Sequence, residues 1–118
     1  MQRLKQRADF LAAARGARIS VVPFVLQVRA RGDAAPPRFG FTVSKKVGTA
    51  VERNRARRRL RDIVRRNAAL LPENGHDYVL IGRKAALTMR FERMAEEFRG
   101  AMTRLRKSRG RQAAESTP

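Results

Sequence analysis

The spacing of apolar residues changes several times along the chain, and each change marks an element. Residues 4 to 14 place Leu4, Ala8, Leu11 and Ala12 on one side of a helix that Gly16 ends. Phe10 falls off the centre of that stripe, where its ring suits the edge of a core or the wall of a groove equally well. From 22 to 31 the period becomes two. Phe24, Leu26, Val28 and Ala30 face one way and Val25, Gln27, Arg29 and Arg31 the other, a strand with one core face and one partly wet face. Gly32-Asp33-Ala34-Ala35-Pro36-Pro37 breaks it. A second strand alternates Phe39, Phe41 and Val43 with Gly40, Thr42 and Ser44. The second set carries so little bulk that another chain could approach the backbone closely. A third short strand is expected over residues 43 to 47.

Thr49-Ala50-Val51-Glu52 fits a capping box, so a helix is predicted over residues 50 to 70. At about 100° per residue, Leu60, Ile63, Val64, Asn67, Leu70 and Leu71 form its buried stripe. Asn54, Arg57, Arg58, Arg61 and Arg65 occupy an adjoining face; Arg55, Arg59 and Arg66 line the other flank with Asp62; Arg53 falls near the apolar stripe. Tyr78-Val79-Leu80-Ile81, nearly all apolar, reads as an interior strand. A last helix begins between residues 86 and 91 with Phe91, Met94, Phe98, Met102 and Leu105 on one face. The order predicts an α+β fold, a small two-layer α/β sandwich, helix-strand-strand-strand-helix-strand-helix. Residues 1 to 106 form its single domain and residues 107 to 118, polar with Gly, Ser and Pro, a mobile tail.

Charge narrows the function. The 118 residues carry 28 Lys plus Arg against 10 Asp plus Glu, a formal charge of +18, and eight arginines with one acid fall between residues 53 and 66. Such a surface drives encounter with nucleic acid through phosphate neutralisation and counterion release. No apolar run approaches the roughly 20 residues needed to span a bilayer. With no cysteine, disulfides and cysteine zinc sites are excluded, and a cytoplasmic location is expected. His76, the lone histidine, sits in a turn signal and reads as a solvated turn residue. Nothing resembles a nucleophilic or acid–base cluster, which argues against a self-contained hydrolase.

Arg57, Arg61 and Arg65 lie on consecutive helical turns, about 5.4 Å apart in rise, and can follow a phosphate ridge with planar forks of donors that lysine lacks. Lys45 and Lys46, just before the helix N-terminus, make a second phosphate site. No helix-turn-helix spacing accompanies them, so folded RNA is the better target than DNA. A groove bearing Phe10, Phe24, Gln27, Thr42 and Ser44 could hold a single strand by stacking and small polar contacts.

The stretch from Phe39 through Ser44-Lys45-Lys46-Val47-Gly48 and Arg53-Asn54-Arg55 to Arg66 closely resembles the signature of the bacterial ribonuclease P protein component. Leu4-Lys5 with Ala8-Asp9-Phe10, Phe24-Val25-Leu26 and Asp77-Tyr78-Val79-Leu80-Ile81 extend the resemblance over residues 3 to 105. It implies a small basic subunit bound to a catalytic RNA. Together they remove the 5′ leader of precursor tRNA, with the active site and its Mg2+ ions in the RNA and no metal held by the protein alone. It implies that Arg53, Asn54, Arg55, Arg57, Arg58 and Arg61, with Lys45 and Lys46, face the catalytic RNA, and the helical spacing adds Arg65 to that face. The leader cleft would then involve Phe10, Arg15, Phe24, Leu26, Gln27, Thr42 and Ser44. Many members carry a second aromatic one turn after the position of Phe10, where this chain has Ala14, so Arg15, Arg18 or Arg29 would supply the missing grip. The resemblance also implies a left-handed crossover through the arginine helix, against a general preference of about 98% for the right-handed form. A ribosomal or RNA-chaperone protein would share the charge and the helix but need no leader groove.

Overall fold

The computed structural model describes residues 2–67 and 72–115. In chain order these form β1 (Gln2–Arg3), α1 (Arg7–Ala14), β2 (Ala17–Ser20), β3 (Phe24–Ala30), β4 (Arg38–Val43), α2 (Ala50–Asn67), β5 (His76–Gly82) and α3 (Phe91–Glu115). The strands make one five-stranded sheet in the order β1-β4-β5-β3-β2. β5 lies in its centre, antiparallel to β3 and parallel to β4, as its apolar run requires. α2 is the connection between the parallel neighbours β4 and β5.

The alternation read from the sequence sorts the two sheet faces. Phe24, Leu26 and Val28 of β3, Phe39 and Val43 of β4, and Tyr78 and Leu80 of β5 point to one side. There they meet Ala56, Leu60, Ile63 and Val64 of α2 and Met94, Phe98, Met102 and Leu105 of α3 in one continuous core. Each fully enclosed large side chain contributes about 1.5–3 kcal/mol by leaving water. Phe39 and Tyr78, paired across β4 and β5, stack with centroids 5.1 Å apart. On the opposite face α1 lies across β3 and β5, and Ala13, Leu4 and Val79 form a second small cluster with Phe10 and Ile81 at its edge. The α+β sandwich expected from the sequence is the architecture found, with α1 covering part of the second face.

Several boundaries differ from expectation. α1 begins at Arg7, because residues 2 and 3 pair with β4 as a strand and Leu4 donates its N–H to the Phe39 carbonyl at 2.8 Å. Leu4, which anchored the predicted stripe, is therefore not on the helix. Ala8 and Leu11 face solvent, Leu11 with 51% of its surface exposed, while Ala13 is buried. β2, hydrogen-bonded to β3, was not read from the sequence at all. The third strand expected near residues 43 to 47 is a 3-10 turn over Lys45–Val47, which tucks Val47 into the core before the helix cap. Helix α3 continues to Glu115 where a tail was expected from residue 107, since Arg, Gln, Ala and Glu are good helix formers and Gly110 alone does not end it. Leu70 and Leu71, assigned to the stripe of α2, lie outside the described residues.

Candidate nucleic-acid interface

Helix α2 is fixed at three points, and these determine which arginines remain for a partner. At its start the capping box forms as read: Glu52 donates its N–H to Thr49 Oγ1 at 3.2 Å, and Thr49 donates its N–H to Glu52 Oε1 at 2.9 Å. Those bonds, backbone first, hold the Glu52 carboxyl below its ordinary pKa. Along its middle Arg59 is a strut. It donates to the Ala86 carbonyl at 2.6 Å and to the Met89 carbonyl, and burial followed by repulsion from Arg55 pulls its pKa down. Near its end the Arg66 guanidinium sits 4.8 Å from the centroid of the Phe91 ring, and Asn67, buried as its place in the stripe predicted, donates to the Ile63 carbonyl and accepts from Arg99.

Of the remaining arginines, Arg55, Arg58 and Arg65 are exposed and Arg53, Arg57 and Arg61 half-exposed. Asn54, Arg57, Arg58 and Arg61 line one groove together with Val51. Arg55 lies on the other flank, in a second groove with Arg59 and Lys84. Among the described residues, Arg53, Arg55, Arg57, Arg58 and Arg61 form no ion pair. Arg57 donates to Asn54 Oδ1 at 2.5 Å, and only Arg65 reaches a carboxylate, the solvent-facing Asp62 at 3.1 Å. The Nε atoms of Arg53 and Arg61 are covered yet have no hydrogen-bond partner among the described residues. Lys45 and Lys46 stand exposed on the 3-10 turn just before the cap.

The second face of the sheet is arranged in cross-strand rows. Arg38, Asp77 and Arg29 form one row, Gly40, Val79 and Gln27 the next, and Thr42, Ile81 and Val25 a third. The small residues of β4 do admit a close neighbour, but it is the chain's own Phe10: a Cβ on Gly40 would come 2.4 Å from Cε1 of that ring. Gln27 is buried in the same row, whereas Thr42, Ile81 and Val25 stay half-exposed beyond it, with Ser44 exposed past the end of β4. Phe24 and Leu26, expected in this groove, are instead fully buried on the opposite face, because the odd and even positions of a strand cannot share a side. Arg15 is exposed at the end of α1.

At the other end of that face lies an ion network that sequence reasoning missed. Asp77, fully buried, accepts from Arg38 Nε and NH2 at 2.8 Å each and from Arg31 NH1 at 2.5 Å. Burial alone pushes its carboxyl up, but the hydrogen bonds from Arg38 and Arg31 outweigh that and hold it below the usual range. Asp9 of α1 bridges to Arg29 at 3.3 Å and Arg38 at 3.5 Å, tying the helix to the sheet. Arg29, a candidate to compensate for Ala14, is therefore engaged within the protein. The available signal was a single acid opening an otherwise apolar strand.

A family model described as Ribonuclease P matches residues 1–106. The chain belongs to the ribonuclease P protein family. It is 49% identical over 98 residues to the ribonuclease P protein component of Gluconacetobacter diazotrophicus, covering 82% of this chain and 84% of that protein. To the corresponding component of Erythrobacter litoralis it is 41% identical over 110 residues, covering 91% and 88%. Among solved structures, the RNase P protein from Thermotoga maritima superposes with a TM-score of 0.75 at 32% identity, covering 88% of this chain and 97% of that one. The Staphylococcus aureus RNase P protein gives 0.73 at 25% identity, covering 87% and 94%.

Ribonuclease P membership also frames the acids. Among the described residues no group of three or more histidines, cysteines and carboxylates is placed to hold a metal ion, and Asp9, Asp33 and Asp77 are each taken up by guanidiniums. These three carboxylates are thus committed to guanidiniums rather than left free for a metal ion. No described helix is long and apolar enough to cross a membrane.

Proposed function

We propose that this chain is the protein subunit of ribonuclease P. It binds the catalytic RNA through the outer face of α2 with Lys45 and Lys46, and receives the 5′ leader of precursor tRNA along Thr42 and Ser44, with Phe10 and Gln27 bounding the groove and Arg15 at its rim. The observation that carries this reading is the row of guanidiniums on a rigidly anchored helix, none of Arg53, Arg55, Arg57, Arg58 and Arg61 engaged with a carboxylate among the described residues. With no carboxylate to neutralise them and carried on an anchored helix, they are available to phosphates, and the free energy of neutralising them comes from the partner.

The division of labour follows from what the side chains can do. Arginines and lysines can neutralise and orient a polyanion but cannot act as acid or base near neutral pH. Bond cleavage and the Mg2+ ions are therefore assigned to the RNA, and removal of the leader to the assembled particle. The protein strengthens substrate binding by adding cationic and groove contacts. In a cleavage assay, protein alone should leave precursor tRNA intact, while adding it to the cognate catalytic RNA at low Mg2+ should accelerate leader removal. Robust metal-dependent cleavage by RNA-free protein, or no stimulation of the RNA, overturns the proposal. A ribosomal or chaperone role would show equal affinity for tRNA with and without the leader.

A further inference from the structure

We infer that the groove on α2 does more than track a phosphate ridge: it seats a single unstacked nucleoside of the partner RNA, with Val51 as the apolar floor. This rests on the RNA-binding reading of α2. Val51 has 76% of its surface exposed, more than Leu11 or Val22, the other large exposed apolar residues among the described ones. It lines the same concavity as Asn54, Arg57, Arg58 and Arg61. Asn54 and Arg58 follow Val51 at three and seven residues, so all three lie along one strip of the helix.

A lone exposed apolar residue is ordinary. This one is not alone in its setting. Arg61, in the same groove, makes no ion pair and no side-chain hydrogen bond among the described residues, so its guanidinium is left for a partner. Asn54 Oδ1 is occupied by Arg57, which turns the amide so that its Nδ2 donors have no partner among the described residues and are available to an acceptor. The groove thus offers an apolar surface, directed amide donors and flanking cations. A smooth duplex ridge presents only phosphates and ribose hydroxyls and would leave Val51 against charge. A nucleotide turned out of its stack presents an apolar ring face or ribose to Val51, an acceptor to Asn54 and its phosphates to Arg58 and Arg61, matching all of these.

The test uses Val51→Ala, which removes the floor while keeping the charge and improving helix propensity, so folding is retained. Affinity is measured across a salt series for the cognate catalytic RNA and for a fully paired RNA duplex, with Arg57→Ala/Arg61→Ala alongside. The expected result is a loss of about five- to tenfold for Val51→Ala on the catalytic RNA, with unchanged salt slope and no loss on the duplex. Unchanged affinity for the catalytic RNA, or an equal loss on both RNAs, overturns the nucleoside seat. An unchanged slope in the double arginine variant would instead remove the RNA-binding face on which the seat depends.

Discussion

Arg38 holds both carboxylate oxygens of Asp77 from the neighbouring strand, each at 2.8 Å, in a forked pair that lies directly across the β4–β5 register. Because Arg31 and Asp9 join the same network, this pair links the sheet centre, the loop after β3 and the helix that carries Phe10. Removing one partner of an enclosed pair leaves an uncompensated charge. Asp77→Asn should therefore cost about 3–5 kcal/mol in urea unfolding. An unchanged midpoint would mean that the network does not stabilise the fold.

The same carboxylate sets the response to acid. Its folded pKa lies below the ordinary value, as do those of Asp33 and Glu52, so the contribution is complete above the unfolded pKa and is lost as pH falls through the folded one. The urea midpoint should be flat above about pH 5 and fall below about pH 4. Asp77→Asn should show a shallower fall. Stability that rises on acidification would contradict the sign.

Arg59 and the groove arginines should separate by experiment, although all lie on one helix. Arg59→Ala removes a donor from two carbonyls of the segment before α3 and should destabilise the protein by about 1–3 kcal/mol, with little change in the salt slope of RNA binding. Thermal unfolding and a binding titration on the same variant check both halves.

Gly40 admits the Phe10 ring against β4, and an alanine there must displace it. Gly40→Ala should lower stability by about 1–3 kcal/mol and weaken the advantage that a 5′ leader gives to substrate binding in the assembled particle. Phe10→Ala should erase part of the same advantage. Both variants should leave affinity for the catalytic RNA itself unchanged, which a titration without substrate tests.

What the sequence revealed depended on the range of the interactions involved. The α2 cap, its stripe through Leu60, Ile63, Val64 and Asn67, and the core face of β3 through Phe24, Leu26 and Val28 are set within a few residues and are found as read, whereas Ala30, read on that same face, is exposed at the strand's end. β1 and β2 are too short to show a period and exist because β4 and β3 pair with them. The α1 stripe was aligned on Leu4, which is buried from outside the helix, and so Leu11 was placed inside and Ala13 was not. Phe24 and Leu26 were read both as core and as groove; strand geometry permits only the first. The arginine helix could be recognised from its charge, but dividing it into Arg59 and Arg66 as anchors and Arg57, Arg58 and Arg61 as the free face required the position of the segment before α3. Asp77 could be seen as an isolated acid, and its three arginines come from parts of the chain that only folding brings together.

The most direct measurement is the salt dependence of affinity for the catalytic RNA, comparing the unmodified protein with Arg57→Ala/Arg61→Ala. The structure predicts a weaker complex, a log–log slope reduced by up to about two phosphate contacts, and an unaltered circular dichroism spectrum, because both side chains lie off the buried stripe. An unchanged slope in a folded double variant would contradict the assignment of this helix face to RNA.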